Sequence, residues 1–167
     1  MKEHENIVEE MEPVTPEEIV TNENELLKAL TGKSKPAQET KTIEVSYHGT
    51  VFRFRIRALS EREYDSCRER ATTYSKNKRF GGMKLPEKTD TVKYHTLLIY
   101  KATVDEDRAK LWDNKALWDA VNAVTGTDMV DFLIPLAGKK QQIVDLIEDL
   151  SGFNEDAEAA YEGVVKN

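Results

Sequence analysis

Residues 43–58 read Ile-Glu-Val-Ser-Tyr-His-Gly-Thr-Val-Phe-Arg-Phe-Arg-Ile-Arg-Ala, and this stretch decides the fold. Ile43, Val45 and Tyr47 alternate with Glu44 and Ser46, and Phe52, Phe54, Ile56 and Ala58 alternate with Arg53, Arg55 and Arg57. A period of two places successive side chains on opposite faces, so each run is a strand with one buried face. His48-Gly49 suits a two-residue hairpin turn, with the glycine supplying a positive φ. The register can be checked internally. With Tyr47 opposite Thr50, Val45 meets Phe52 and Ile43 meets Phe54 on one side, while Glu44 meets Arg53 on the other.

After the second strand the period becomes helical. Ser60-Glu61-Arg62-Glu63 is a capping box, with Leu59 and Tyr64 placed as a hydrophobic staple. The helix it opens carries Tyr64, Cys67, Ala71 and Tyr74 as an apolar stripe. Residues 76–89 read as a basic loop, because Gly81-Gly82 and Pro86 forbid a continuous helix. Asp90 caps the next helix, which holds Val92, Leu97, Leu98 and Ile99 and is apolar enough to be central. Further helices are expected at 115–124, from a Thr127 cap to Pro135, and at 139–151. Gly152 stops the last of these, and Phe153 is expected to fold back on Ile147.

Upstream of the strands, Thr15-Pro16-Glu17-Glu18 is a helix-start pattern, and residues 22–30 form a short amphipathic segment with Leu26, Leu27 and Leu30 on one face. So short a helix is marginal in water and needs something to pack on. The class is therefore mostly α (α+β): an N-terminal antiparallel β-hairpin followed by about five helices. Residues 1–38 are expected to be an acidic, partly disordered arm, 39–153 a hairpin plus helical core domain, and 154–167 an acidic flexible tail.

The net charge of −7 is unevenly distributed: residues 1–49 hold 5 Lys/Arg against 11 Asp/Glu, residues 50–101 hold 13 against 6, and residues 102–167 hold 6 against 14. The single cysteine, Cys67, cannot form an intramolecular disulfide and suits a reducing cytoplasm. No apolar run follows Met1, so no signal peptide is expected. The longest apolar stretch, near 132–137, is interrupted by Pro135 and falls short of the about 20 residues that a membrane span needs.

No reactive constellation assembles from the residues. His4, His48 and His95 are scattered, and with one cysteine they make no zinc set. Cys67 on an apolar stripe reads as a small buried hydrophobe. Gly81-Gly82 lacks the context of a phosphate loop. Asp105-Glu106-Asp107 lacks the glycine and distal glutamate of a calcium loop and reads as acids at a helix start. The chain is thus expected to be no enzyme and to use no cofactor or metal. The basic stretch 53–84, with Tyr74 and Phe80 interleaved, has the composition of a nucleic-acid face. The negative total charge and the interspersed Glu44, Glu61, Glu63, Asp65 and Glu69 argue against that use. Trp112 and Trp118 suit either a core or an interface anchor.

Ala58-Leu59-Ser60-Glu61-Arg62-Glu63-Tyr64, then Asp90-Thr91-Val92-Lys93-Tyr94 leading into Ala102-Thr103-Val104-Asp105, together resemble the XkdN-like family of phage tail assembly chaperones. Leu133-Ile134-Pro135-Leu136-Ala137-Gly138 and Leu150-Ser151-Gly152-Phe153 extend the likeness, which covers about residues 22–153. Lys139-Lys140 departs from it, because an acidic residue is expected there. The resemblance implies a non-catalytic protein of the host bacterial cytoplasm that binds the tape measure protein during tail assembly and is absent from the finished tail. It leaves room for contact with tail tube protein, for self-association, and for a longer form made by ribosomal frameshifting. The candidate partner-binding residues are Leu26, Leu27, Leu30, Trp112 and Trp118. Two alternatives stay open: a small nucleic-acid-binding or regulatory protein using residues 53–84, and a structural tail component.

Overall fold

The computed structural model describes residues 23–32 and 37–153. Strands β1 (Thr40–Tyr47) and β2 (Thr50–Arg57) form the antiparallel hairpin in the expected register, with Ile43 opposite Phe54, Val45 opposite Phe52 and Glu44 opposite Arg53. His48 and Gly49 both take positive φ at the turn (47° and 80°), the geometry that matches the strand twist. Ile43, Val45, Phe54 and Ile56 are buried on one face, and Thr42, Glu44, Arg53 and Arg55 are exposed on the other.

Six helices follow among the described residues: α2 (Glu61–Ala71), α3 (Thr91–Ala102), α4 (Asp105–Lys110), α5 (Lys115–Val121), α6 (Gly126–Leu133) and α7 (Ala137–Leu150). A separate helix, α1 (Glu23–Thr31), precedes the hairpin. The capping box at Ser60 and Glu63 is formed, and Asp90 accepts from the Lys93 amide at 3.0 Å. Helix α3 is central, packing on α2, α6 and α7 with Leu98, Ile99 and Ala102 fully buried. The hairpin's buried face, Leu59, Tyr64 and Cys67 join the same core, as do Met129, Val130, Ile143, Val144 and Ile147.

The basic stretch 76–89 is not a loop. It lies in a second antiparallel hairpin, β3 (Thr72–Asn77) and β4 (Met83–Thr89), turned by a short 3-10 segment Lys78–Phe80 and by Gly81 and Gly82 at φ 66° and 81°. Helix α2 accordingly ends at Ala71, and Tyr74 stands exposed on β3 instead of extending the helical stripe. Other expectations shift by smaller amounts. The acids at 105–107 open a short helix of their own, α4, in keeping with their reading as a helix start, and bring the helices after the first hairpin to six among the described residues. Helix α5 stops at Val121 because Asn122 takes the left-handed conformation (φ 55°), which leaves Val124 exposed. The cap of α6 is Thr125, in a capping box with Asp128, and not Thr127. Val92 lies on the exposed side of α3.

Helix α7 begins at Ala137, ahead of Lys139-Lys140, and both lysines lie within it. Lys140 is buried. Its Nζ donates to Thr96 Oγ1 of α3 at 2.9 Å and pairs with Asp131 of α6, so one cation joins three helices. The helix ends as expected at Gly152 (φ 87°), with the Phe153 amide donating to Glu148 O at 3.2 Å. The Phe153 ring packs edge-on against Tyr64 at 5.2 Å. The helix-start pattern at Thr15-Pro16, the expected disorder at the N-terminus and the acidic tail lie outside the described residues.

Candidate partner-binding surfaces

Helix α1 is short and presents its leucines. Glu23 and Glu25 lie in the first turn and Lys28 in the last, each favourable with the helix dipole. Leu26, Leu27 and Leu30 are all exposed, Leu30 by 80%. A nine-residue helix with no buried side chain has little to hold it in water.

The two tryptophans separate. Trp112 is 0% exposed, packed edge-on against Phe54 at 5.2 Å and Phe52 at 6.4 Å. Its Nε1 donates to Thr103 Oγ1 at 2.8 Å, and that hydroxyl donates to Ile99 O. Its polar atom is satisfied inside the core, so Trp112 is not offered to a partner, a correction to the expectation that grouped it with the contact residues. Trp118 is half-buried. Its Nε1 donates to the Trp112 carbonyl at 2.6 Å, and Lys115 Nζ lies 3.8 Å from its ring centroid.

A groove not anticipated from the sequence lies between the turn of the first hairpin and the α6–α7 connection. It encloses about 280 Å³ and is lined by Val45, Tyr47, His48, Leu133, Ile134 and Leu136, among others, with Lys139 at its edge. Tyr47 packs on Phe132 at 6.0 Å, and Phe132 and Leu136 are exposed beside it, Leu136 by 71%. Pro135 ends α6 before the chain turns into α7, and this break brings Leu133 and Leu136 to one surface. The only sequence signal is the interruption of an apolar run by proline, which equally suits a core turn.

The arginines of β2 are occupied. Arg53 pairs with Glu44 at 2.7 Å, Arg55 with Asp107 at 2.8 Å and Glu106 at 3.1 Å, and Arg57 with Glu63 at 2.8 Å. The hydrogen bond to Arg57 is the main cause that lowers the Glu63 carboxyl pKa to about 2. By contrast, Lys76, Lys78, Arg79, Lys84 and Lys88 of the second hairpin make no ion pair among the described residues. Tyr74, Phe80 and Met83 stand exposed among them.

Isolated reactive groups do not converge. Burial raises the Cys67 thiol pKa, and burial followed by the nearby Lys140 charge lowers that of His95. Among the described residues no cluster of three or more His, Cys, Asp or Glu side chains is placed to hold a metal ion. No helix among them is long and apolar enough to cross a membrane.

The fold is a hairpin closed over a helical core, with apolar and basic patches left at the surface. The family model of the phage XkdN-like tail assembly chaperone proteins matches residues 24–165, and the chain belongs to that family. No curated protein and no solved structure matches the chain.

Proposed function

We propose that this chaperone acts without catalysis, in the host cytoplasm, by holding apolar helical segments of the tape measure protein until the tail tube encloses them, and that it is absent from the finished tail. The observation that carries this reading is the apolar groove between Tyr47 and Leu136, open at the surface of an otherwise well-packed core. A groove of this kind accepts one or two side chains from the apolar stripe of a partner helix. The exposed leucine face of α1 is a second candidate contact of the same chemistry. Modest apolar contacts, repeated along a long client by many copies, give collective hold with easy local release.

Co-expression with the tape measure protein tests this. The wild-type chain should keep the client soluble and co-elute with it on size exclusion. Leu136→Glu, Leu26→Glu and Leu30→Glu, all at exposed positions, should each reduce the soluble client without unfolding the chaperone. A client that stays insoluble beside a folded wild-type chaperone, with no complex recovered, refutes the reading.

A further inference from the structure

Two adjacent lysines in the first turn of α7 meet different fates. Lys140 is buried, and Asp131 and Thr96 satisfy its ammonium. Lys139 is half-buried at the edge of the apolar groove between the turn of the first hairpin and the α6–α7 connection. Its ammonium makes no ion pair among the described residues. Val45, Tyr47, Leu133, Ile134 and Leu136 give the groove its apolar walls, and no aspartate or glutamate among the described residues lines it. A partner that covers this groove takes water from the ammonium as well as from the apolar walls. A cation that loses its water without gaining a counter-charge opposes binding. The occupant that fits therefore brings a carboxylate to the edge together with an apolar side chain for the groove.

We propose that the groove selects helices in which an aspartate or glutamate stands one turn from the apolar anchor, and that Lys139 reads that carboxylate. Side chains three or four positions apart on a helix share a face and lie about 5–6 Å from one another. One of them can fill a groove of about 280 Å³ while the other reaches its edge. A helix with lysine or arginine at the second position meets Lys139 as a like charge and is rejected. Lys139 is thus a specificity-determining residue, and the groove discriminates among apolar stripes instead of accepting any of them. This inference rests on the reading that the groove holds a partner helix, and adds which helices it takes.

Fluorescence anisotropy of the full chain with labelled synthetic peptides tests it. The peptides are versions of one amphipathic helix, its helicity checked by circular dichroism, with glutamate, glutamine or lysine one turn from a central leucine. The glutamate peptide should bind wild type about three- to tenfold more tightly than the glutamine peptide, and the lysine peptide more weakly than either. Net charge cannot produce that order, because the chain carries −7. Lys139→Met should bind the three peptides alike, and Lys139→Glu should reverse the preference in favour of the lysine peptide. Lys76→Glu with Lys84→Glu, on the second hairpin, should keep the wild-type order. If the three peptides bind wild type alike, or the order survives Lys139→Glu, the proposal fails while the holding of apolar helices stands. If no peptide binds wild type, the proposal fails together with the groove as the contact. Recovery of the client complex on co-expression then shows whether the wider reading falls with it.

Discussion

Arg55 grips Asp107 twice: its backbone amide donates to Asp107 Oδ2 at 2.7 Å, and its guanidinium donates to both carboxylate oxygens at 2.8 and 3.0 Å. One acid on α4 thus satisfies the open edge of β2 and also neutralises the side chain projecting from it. Arg55→Ala leaves the backbone bond in place, whereas Asp107→Ala removes both contacts. Asp107→Ala is therefore expected to lower the melting temperature more than Arg55→Ala. Equal shifts would mean that the backbone contact contributes nothing.

Phe54 is 1% exposed and sits against Trp112. Phe54→Ala should cost about 3–5 kcal/mol in a denaturant titration, the usual loss when a core aromatic is cut to a methyl. A loss below about 1 kcal/mol would place the hairpin face outside the core.

Lys140 and Asp131 should respond asymmetrically. Lys140→Met keeps the aliphatic packing and removes the buried charge, so stability should change little. Asp131→Ala leaves the ammonium buried with Thr96 as its remaining partner among the described residues, and should cost about 1–3 kcal/mol. Urea melts of both variants and of the double variant provide the comparison. If Lys140→Met is the more damaging single change, the cation is a net stabiliser.

Glu63 gives a pH signature. Its folded pKa of about 2 lies below the ordinary 4.5, so its contribution to stability is fully present above pH 4.5 and is lost as pH falls from there toward 2. Glu63→Gln should be less stable than wild type at neutral pH, and its stability should fall less steeply across that acid window. Chemical melts at several pH values measure the slope. Parallel curves for the two proteins would show that the Arg57 contact does not couple to folding.

Gly126 opens α6 where no side chain fits: a Cβ there would lie 2.5 Å from Tyr100 Cε2 and 2.3 Å from Asp113 Oδ1. Gly126→Ala should cost about 1–3 kcal/mol by overpacking, although alanine is the better helix former. Restoring space with Tyr100→Ala in the same chain should recover part of the loss.

The first hairpin was legible because burial imposes contrast. One face of β1 and β2 must be apolar, so Ile43, Val45, Phe54 and Ile56 declare both period and register. The helix starts at Ser60 and Asp90 were legible for a local reason, since a cap is satisfied within a few residues of itself. The second hairpin was not legible because neither face is buried: Thr72 to Asn77 carries no alternation, and only the Gly81-Gly82 turn hinted at reversal. Trp112 was ambiguous because its indole nitrogen needed a partner, and Thr103 lies nine residues away on a different element. The groove at Tyr47 and Leu136 joins segments far apart in sequence, so no local pattern could announce it.

Ser151 Oγ receives the amide of Leu59 at 3.0 Å and the hydroxyl of Tyr64 at 3.2 Å, binding the end of α7 to residues some 90 positions earlier. During synthesis the hairpin and α3 leave the ribosome well before this latch exists. Until Ile143, Val144 and Ile147 arrive, the nascent chain exposes the apolar surface that they later cover. The native state therefore forms only once α7 has emerged, and a nascent chain arrested before then should be readily captured by holdase chaperones.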